Sequence, residues 1–235
     1  MQKTANKSKF LVFKIKKETE DIITIFLSPI GKSFTYQAGQ YVAVYLGKND
    51  NIPGKFYTIS SSTSEKYLAI SVKKIGQFSS AMHNLKVKDI VYLSGPFGWF
   101  YPEIEMNKVV FLAAGIGVTP FLSIMKDYAN KNIKKEIDLY YTNKTFQDVA
   151  FYGDINNLTK NKPWRVHYYL TQSKTKHELI SKYQRIKVSD LKKDLTNLKN
   201  KDYYICGPIS FVSDIRKQLI KLKIKDCHIF TESFY

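Results

Sequence analysis

Hydrophobic and polar positions alternate with a period near two through most of the first hundred residues. Residues 10–19 (FLVFKIKKET), 24–30 (TIFLSPI), 40–47 (QYVAVYLG), 55–61 (KFYTISS), 67–74 (YLAISVKK) and 90–100 (IVYLSGPFGWF) are short, β-branched or aromatic runs. Turn-forming residues part them, among them Pro29, Gly31, Gly39, Pro53, Gly54, Gly95 and Gly98. Such runs, so spaced, predict a closed antiparallel barrel with one short helix at residues 79–85. Near residue 105 the pattern changes. Residues 109–115 (VVFLAAG) form an unbroken apolar run, as in a strand buried on both faces. Thr119-Pro120 predicts an N-cap and first helical position, opening a helix to about Tyr128. Strands at 137–142, 165–171, 202–207 and 227–234 then alternate with helices near 148–158, 189–198 and 209–222. Alternation of this kind predicts a doubly wound parallel sheet. The fold class read from the pattern is therefore α+β with two domains: an antiparallel Greek-key β-barrel over residues 1–105, then a parallel α/β nucleotide-binding domain over residues 106–235.

Composition changes this picture little. The 235 residues are 44% hydrophobic, enough for a core, and no apolar run reaches the roughly 18–20 residues of a membrane span. The N-terminal residues lack a secretory signal, so a cytoplasmic protein is expected. Cys206 and Cys227 form no CxxC pair, and His83, His167, His177 and His228 show no ligand spacing, so no metal is expected and redox chemistry falls to an organic cofactor. Cys227 reads as a buried, inert thiol. The net charge of +17 admits a nucleic-acid partner, but the lysines are scattered without an Arg-rich stripe. A lysine-coated surface, or a basic face for an acidic protein, accounts for it without nucleic acid.

Seven short motifs stand along the chain: Ala38-Gly39-Gln40-Tyr41, Lys55-Phe56-Tyr57-Thr58, Gly76-Gln77-Phe78-Ser79, Gly95-Pro96-Phe97-Gly98, Gly115-Ile116-Gly117-Val118-Thr119-Pro120, Cys206-Gly207-Pro208 and Glu232-Ser233-Phe234. In this order they resemble the ferredoxin–NADP reductase superfamily over nearly the full chain. The resemblance implies bound FAD, NAD(P)H as electron donor, and a separate one-electron acceptor. Ferredoxin and flavodoxin are natural candidates, being acidic where this chain is basic. It also implies roles. Tyr57 would stack on the isoalloxazine, with Phe56 beside it in the cofactor motif, and Thr58 would hydrogen-bond flavin N5. Lys55, where the family prefers Arg, would face the pyrophosphate with a charge but no planar fork. Gly76, Gln77, Phe78 and Ser79 would supply N–H groups and a hydroxyl to the same anion. Together these favour FAD over FMN.

Gly115, Gly117, Thr119 and Pro120 would hold the NAD(P) side, although the third glycine of a standard dinucleotide fingerprint is missing. Cys206, with Gly207 and Pro208, would lie by nicotinamide C4. Glu232 would relay protons or balance charge near N5, and Phe234 would cover the flavin face, with Tyr235 as a second ring able to do so. Thr58, Cys206 and Glu232 are thus the expected catalytic residues. Lys144 and Lys174 are candidate contacts to a 2′-phosphate, and the choice of NADH or NADPH stays open. Two other readings fit the same fold: a flavin reductase that takes free flavin as substrate, and a non-enzymatic basic binding protein.

Overall fold

A computed structural model describes residues 7–32, 35–47, 53–102, 108–160, 162–173, 180 and 182–234. Its contacts divide the chain into two compact units. The first holds Met1–Tyr101 with Leu122–Lys131, the second Pro102–Phe121 with Asn132–Tyr235.

The first unit is an antiparallel six-stranded sheet. Its strands are β1 (Ser8–Lys17), β2 (Ile22–Ile30), β3 (Tyr41–Tyr45), β4 (Lys55–Thr58), β5 (Leu68–Lys73) and β6 (Ile90–Phe97), in the order β4-β3-β6-β1-β2-β5. Alternation places Val12, Ile25, Leu27, Val42, Val44, Ile70, Val72 and Leu93 in one core, each 4% exposed or less. The sheet curls until its two edges meet, but they join through the isolated bridge Ile59–Ile70 and the bond from Ser60 N–H to Ala69 O. The expected closed barrel is therefore a curled sheet with a narrow seam. The short helix α1 (Gln77–His83) starts two residues earlier than its pattern predicts, because Gly76 and Ser79 already form its cap. At residues 122–131, Asp127 accepts bonds from Ser62 Oγ, Thr63 N–H, Thr63 Oγ1 and Lys131 Nζ. Burial by itself would raise the Asp127 pKa; these donors outweigh it and hold the carboxyl below the usual range.

The second unit is a parallel sheet of β7 (Lys108–Ala114), β8 (Glu136–Asn143), β9 (Trp164–Leu170), β10 (Asp202–Gly207) and β11 (Ile229–Ser233), ordered β11-β10-β7-β8-β9. One face packs on α4 (Val188–Asp194) and α5 (Ile209–Lys221), through Val110, Leu112, Tyr140, Tyr203 and Ile205 against Leu191, Val212 and Ile215. The other meets the first turn of α2 (Thr119–Asn130), where Phe121 stacks on Phe111 at 4.5 Å, and α3 (Tyr152–Thr159), whose Asn156 accepts a bond from Tyr168. The doubly wound fold is as expected.

Three local readings need correction. Thr119 is not an N-cap: its backbone is already helical, because a 3₁₀ turn at Gly115–Val118 winds straight into α2. The last strand begins at Ile229 after a 3₁₀ turn at Asp226–His228, and Cys227 in that turn is exposed, not buried. The helix expected from residue 148 opens only at Tyr152, after Phe151 takes a left-handed conformation. Among the described residues no helix is long and apolar enough to cross a membrane.

Candidate functional site

In the first unit the motifs converge by packing. Gly39 lies so close to the Phe100 carbonyl that a Cβ would approach its oxygen to 2.2 Å, and Gln40 Nε2 donates to Gly98 O at 2.9 Å. The Ala38–Tyr41 and Gly95–Gly98 motifs thus brace each other. Tyr57 stacks on Phe78 with centroids 6.3 Å apart and an interplanar angle of 25°, which joins the β4 motif to the start of α1. Half-buried Tyr57 and exposed Lys55 stand on one strand, and the exposed Gly76 turn follows exposed Lys74. An aromatic ring, a cation and an open helix start thus lie on connected elements, a donor set suited to a flat ring bearing a pyrophosphate. Lys74, two residues before Gly76, is a further exposed cation beside this turn that the sequence reading did not single out.

Two expected contacts take other partners. The Ser79 hydroxyl accepts from Ile75 N–H and Gly76 N–H and donates to Gly76 O, which fills its capacity. It shapes the turn and leaves the backbone N–H groups of the first helical residues as the donors without an intrahelical partner. Phe56 is separated from Tyr57 by the pleat: it is 67% exposed and packs on Tyr41 and Phe97. Thr58 pairs with Tyr41 and is half-buried.

In the second unit the strand order reverses between β7 and β10, which places the ligand crevice of an open α/β sheet outside their carboxyl ends. Gly115, at the end of β7, is left-handed with φ +55° and has no atom within 4 Å of where a Cβ would stand. Gly117 is the opposite case: a Cβ there would lie 2.3 Å from Cys206 O and 2.9 Å from Gly207 N. The two glycines thus let the turn bend and then sink onto the end of β10. Thr119 is buried, and its hydroxyl donates to Ile116 O at 3.0 Å, which pins this turn. Pro120 is buried beside it, and Pro208 is exposed as the N-cap of α5.

Cys206 sits between Ala113 of β7 and Glu232 of β11. Burial, reinforced by the Glu232 carboxylate, pushes the Cys206 pKa well up, so the group is a neutral thiol and not a nucleophile. Burial also pushes Glu232 up to about 7. The tail is held by Phe234 N–H donating to Gly207 O at 3.2 Å. Lys144 is exposed past the end of β8, where its carbonyl accepts from Gln172 N–H. Lys174 and Tyr235 lie outside the described residues. The turn and β10 residues, Glu232 and Phe234 therefore come together at one end of the sheet. Lys144 stands at the same carboxyl edge on the neighbouring strand, just past β8, where Thr142 pairs with Ala114 before the Gly115 turn.

Two family descriptions match the chain: "Oxidoreductase FAD-binding domain" over residues 10–101 and "Oxidoreductase NAD-binding domain" over residues 111–217. A flavohemoprotein of Candida norvegensis is 30% identical over 214 residues, covering 86% of this chain and 52% of that protein. The glycine betaine monooxygenase reductase subunit of Chromohalobacter salexigens is 26% identical, covering 94% of this chain and 62% of that protein. The chain thus spans between half and two thirds of the length of these relatives. Among solved structures, the FAD/NAD binding domain of nitric oxide dioxygenase from Vibrio cholerae superposes with a TM-score of 0.86 at 25% identity, covering 97% of this chain and 98% of that one. A ferredoxin NADP+ reductase from Neisseria gonorrhoeae with bound FAD and NADP shares the fold, with a TM-score of 0.81 at 18% identity and 98% of each chain covered.

Proposed function

Since the chain belongs to the ferredoxin–NADP reductase superfamily, with an FAD-binding domain ahead of an NAD-binding one, we propose that it oxidises NAD(P)H and hands the electrons singly to a carrier protein such as ferredoxin or flavodoxin. When bound, FAD supplies the two-electron to one-electron conversion at its N5. One NAD(P)H would reduce two carriers and release one proton. The observation that carries this reading is the convergence of the Gly115–Gly117 turn, Cys206 and Glu232 at the switch point of the sheet. There the turn would seat the nucleotide, the neutral Cys206 thiol would position the nicotinamide ring, and Glu232 would hold or release a proton near neutral pH. Lys55, Tyr57, Thr58 and the Gly76 turn would hold the flavin. A haem protein is the second acceptor class to consider, because the flavohemoprotein relatives are named for one.

The purified protein is expected to be yellow with about one FAD per chain. Its visible absorption should bleach on anaerobic addition of NADH or NADPH, and titration with each ranks the two donors. A colourless protein that takes up no FAD at micromolar concentration refutes the reading.

Tyr57→Ala is expected to weaken FAD binding by roughly 1–3 kcal/mol, because it removes the ring whose partner face is already set by Phe78. Equilibrium titration of FAD by flavin fluorescence measures this, and an unchanged affinity would make Tyr57 a packing residue only.

A further inference from the structure

A cavity of about 380 Å³ lies in the first unit, where β2 ends and β5 begins. Phe10 and Leu68, 1% and 4% exposed, reach it from the core, and Pro29, the register partner of Phe10, lines it beside them. Half-buried Tyr36 and Tyr67 line it nearer the surface. Leu68 opens β5, and the Gly76 turn follows the other end of that strand at Lys73. Five residues, roughly 17 Å, part the two ends. The Ile59–Ile70 bridge leaves Tyr57 and Thr58 toward the Lys73 end. The cavity and the groups proposed to hold the flavin therefore lie at opposite ends of β5.

The polar groups in the cavity wall are fixed in place. Glu65 Oε2 accepts from Ser62 N–H at 2.6 Å, and Glu65 Oε1 accepts from the Tyr67 hydroxyl at 2.7 Å. The Tyr36 hydroxyl donates to Ser62 O at 2.7 Å and lies 2.8 Å from Ser61 Oγ. Thr63, also in the wall, is tied to Asp127 through its N–H and its hydroxyl. After its two bonds each Glu65 oxygen still has capacity to accept. Among the described residues Glu65 makes no ion pair, and its neighbour Lys66 is exposed.

A ligand site combines apolar walls with a few positioned polar groups. Here the positioned group is a carboxylate, and the rings near it are tyrosines. An ammonium group satisfies both, by a charge-assisted hydrogen bond to the carboxylate and by attraction to the ring faces. The apolar body of the same molecule then covers Phe10 and Leu68. We propose that this cavity binds a small organic cation, a primary amine with a compact apolar body, and that Glu65 anchors it. The site is separate from the oxidoreductase reading and does not depend on it.

The test uses the full chain with FAD added and three probes of one shape: benzylamine, benzyl alcohol and benzoate. Calorimetric titration gives the affinities, and amide shifts in the ¹⁵N-labelled protein give the place. Benzylamine is expected to saturate one site with a Kd below about 1 mM, with shifts centred on residues 62–68. Benzyl alcohol and benzoate should bind at least tenfold more weakly. Glu65→Gln keeps oxygen and shape but loses the charge, and should weaken benzylamine at least tenfold. Thr35→Trp, at an exposed position of the cavity wall, should block it. Equal affinity for the three probes overturns the proposal, as does unchanged benzylamine affinity in Glu65→Gln or no saturable benzylamine binding at all. Tighter binding of benzoate overturns it in favour of Lys66 as the anchor. Displacement of FAD by benzylamine overturns it by making the cavity part of the flavin site. If Glu65→Gln does not fold by circular dichroism, Thr35→Trp decides, and undiminished binding there overturns the site.

Discussion

Gly117→Ala should abolish productive nicotinamide binding while leaving FAD in place. The added Cβ would lie 2.3 Å from Cys206 O, 2.6 Å from Cys206 C and 2.9 Å from Gly207 N. These are backbone atoms inside a parallel ladder, held on one side by β7 and on the other by β11. No rotamer change relieves the overlap, so the turn must lift off the end of β10. Overpacking of this kind costs roughly 1–3 kcal/mol in stability. On the proposed reading the larger loss falls on the ligand, because the lifted turn would be the surface that approaches it. NAD(P)H affinity is expected to fall at least about 100-fold, roughly 2.7 kcal/mol. Gly115→Ala is the informative control: its Cβ meets nothing within 4 Å, and only the left-handed φ opposes it, at roughly 1–2 kcal/mol. Stopped-flow reduction of bound FAD by NAD(P)H, with chemical reduction by dithionite as a folding control, separates the two. Wild-type nucleotide affinity in Gly117→Ala would remove this turn from the site.

Glu232→Gln is expected to flatten the pH dependence of flavin reduction. With its pKa pushed up to about 7 by burial, Glu232 is a neutral acid at pH 6 and a carboxylate at pH 8. Hydride loss leaves a positive charge on the nicotinamide, which a nearby carboxylate stabilises. The wild-type rate should therefore rise about tenfold through a midpoint near pH 7. In the Gln variant it should stay near the low-pH value throughout. Stability runs the other way. The folded pKa lies above the ordinary carboxylate value, so the folded protein holds the proton more tightly than the unfolded chain does. The contribution is full below about pH 4.5 and is lost as pH rises through 7. Glu232→Gln should lessen the fall in Tm between pH 5 and 8. A midpoint near 7 that persists in the variant would assign the titration to another group.

The strands and helices were legible because both units obey simple periods: alternation in the first hundred residues and apolar strands between amphipathic helices after them. The site was legible as motifs but not as partners. Ser79 looks in sequence like a hydroxyl free for an anion, yet three backbone groups within four residues claim it, and only coordinates count donors and acceptors. Thr119-Pro120 reads as a helix start, but the left-handed Gly115 lets a 3₁₀ turn begin the winding four residues earlier. The placement of Phe56 was within reach of sequence reasoning. In a strand, Lys55-Phe56-Tyr57-Thr58 must alternate, so Phe56 and Tyr57 belong to opposite faces. The tie of Asp127 to Ser62 and Thr63 joins residues more than sixty positions apart and has no local signature.

The seam of the curled sheet has a thermodynamic consequence. Among the described residues, strand β4, which carries Lys55, Tyr57 and Thr58, pairs along its length only with β3, and past its end the chain meets β5 at the Ile59–Ile70 bridge. An edge strand of four residues has few neighbours to hold it and opens locally at low free-energy cost. A ligand bound across such an edge stabilises it in proportion to the logarithm of its concentration over its dissociation constant. If the flavin binds on β4 as proposed, cofactor retention and integrity of the first unit become one linked equilibrium, in which flavin would act as a structural clasp and its loss would loosen the strand that must rebind it.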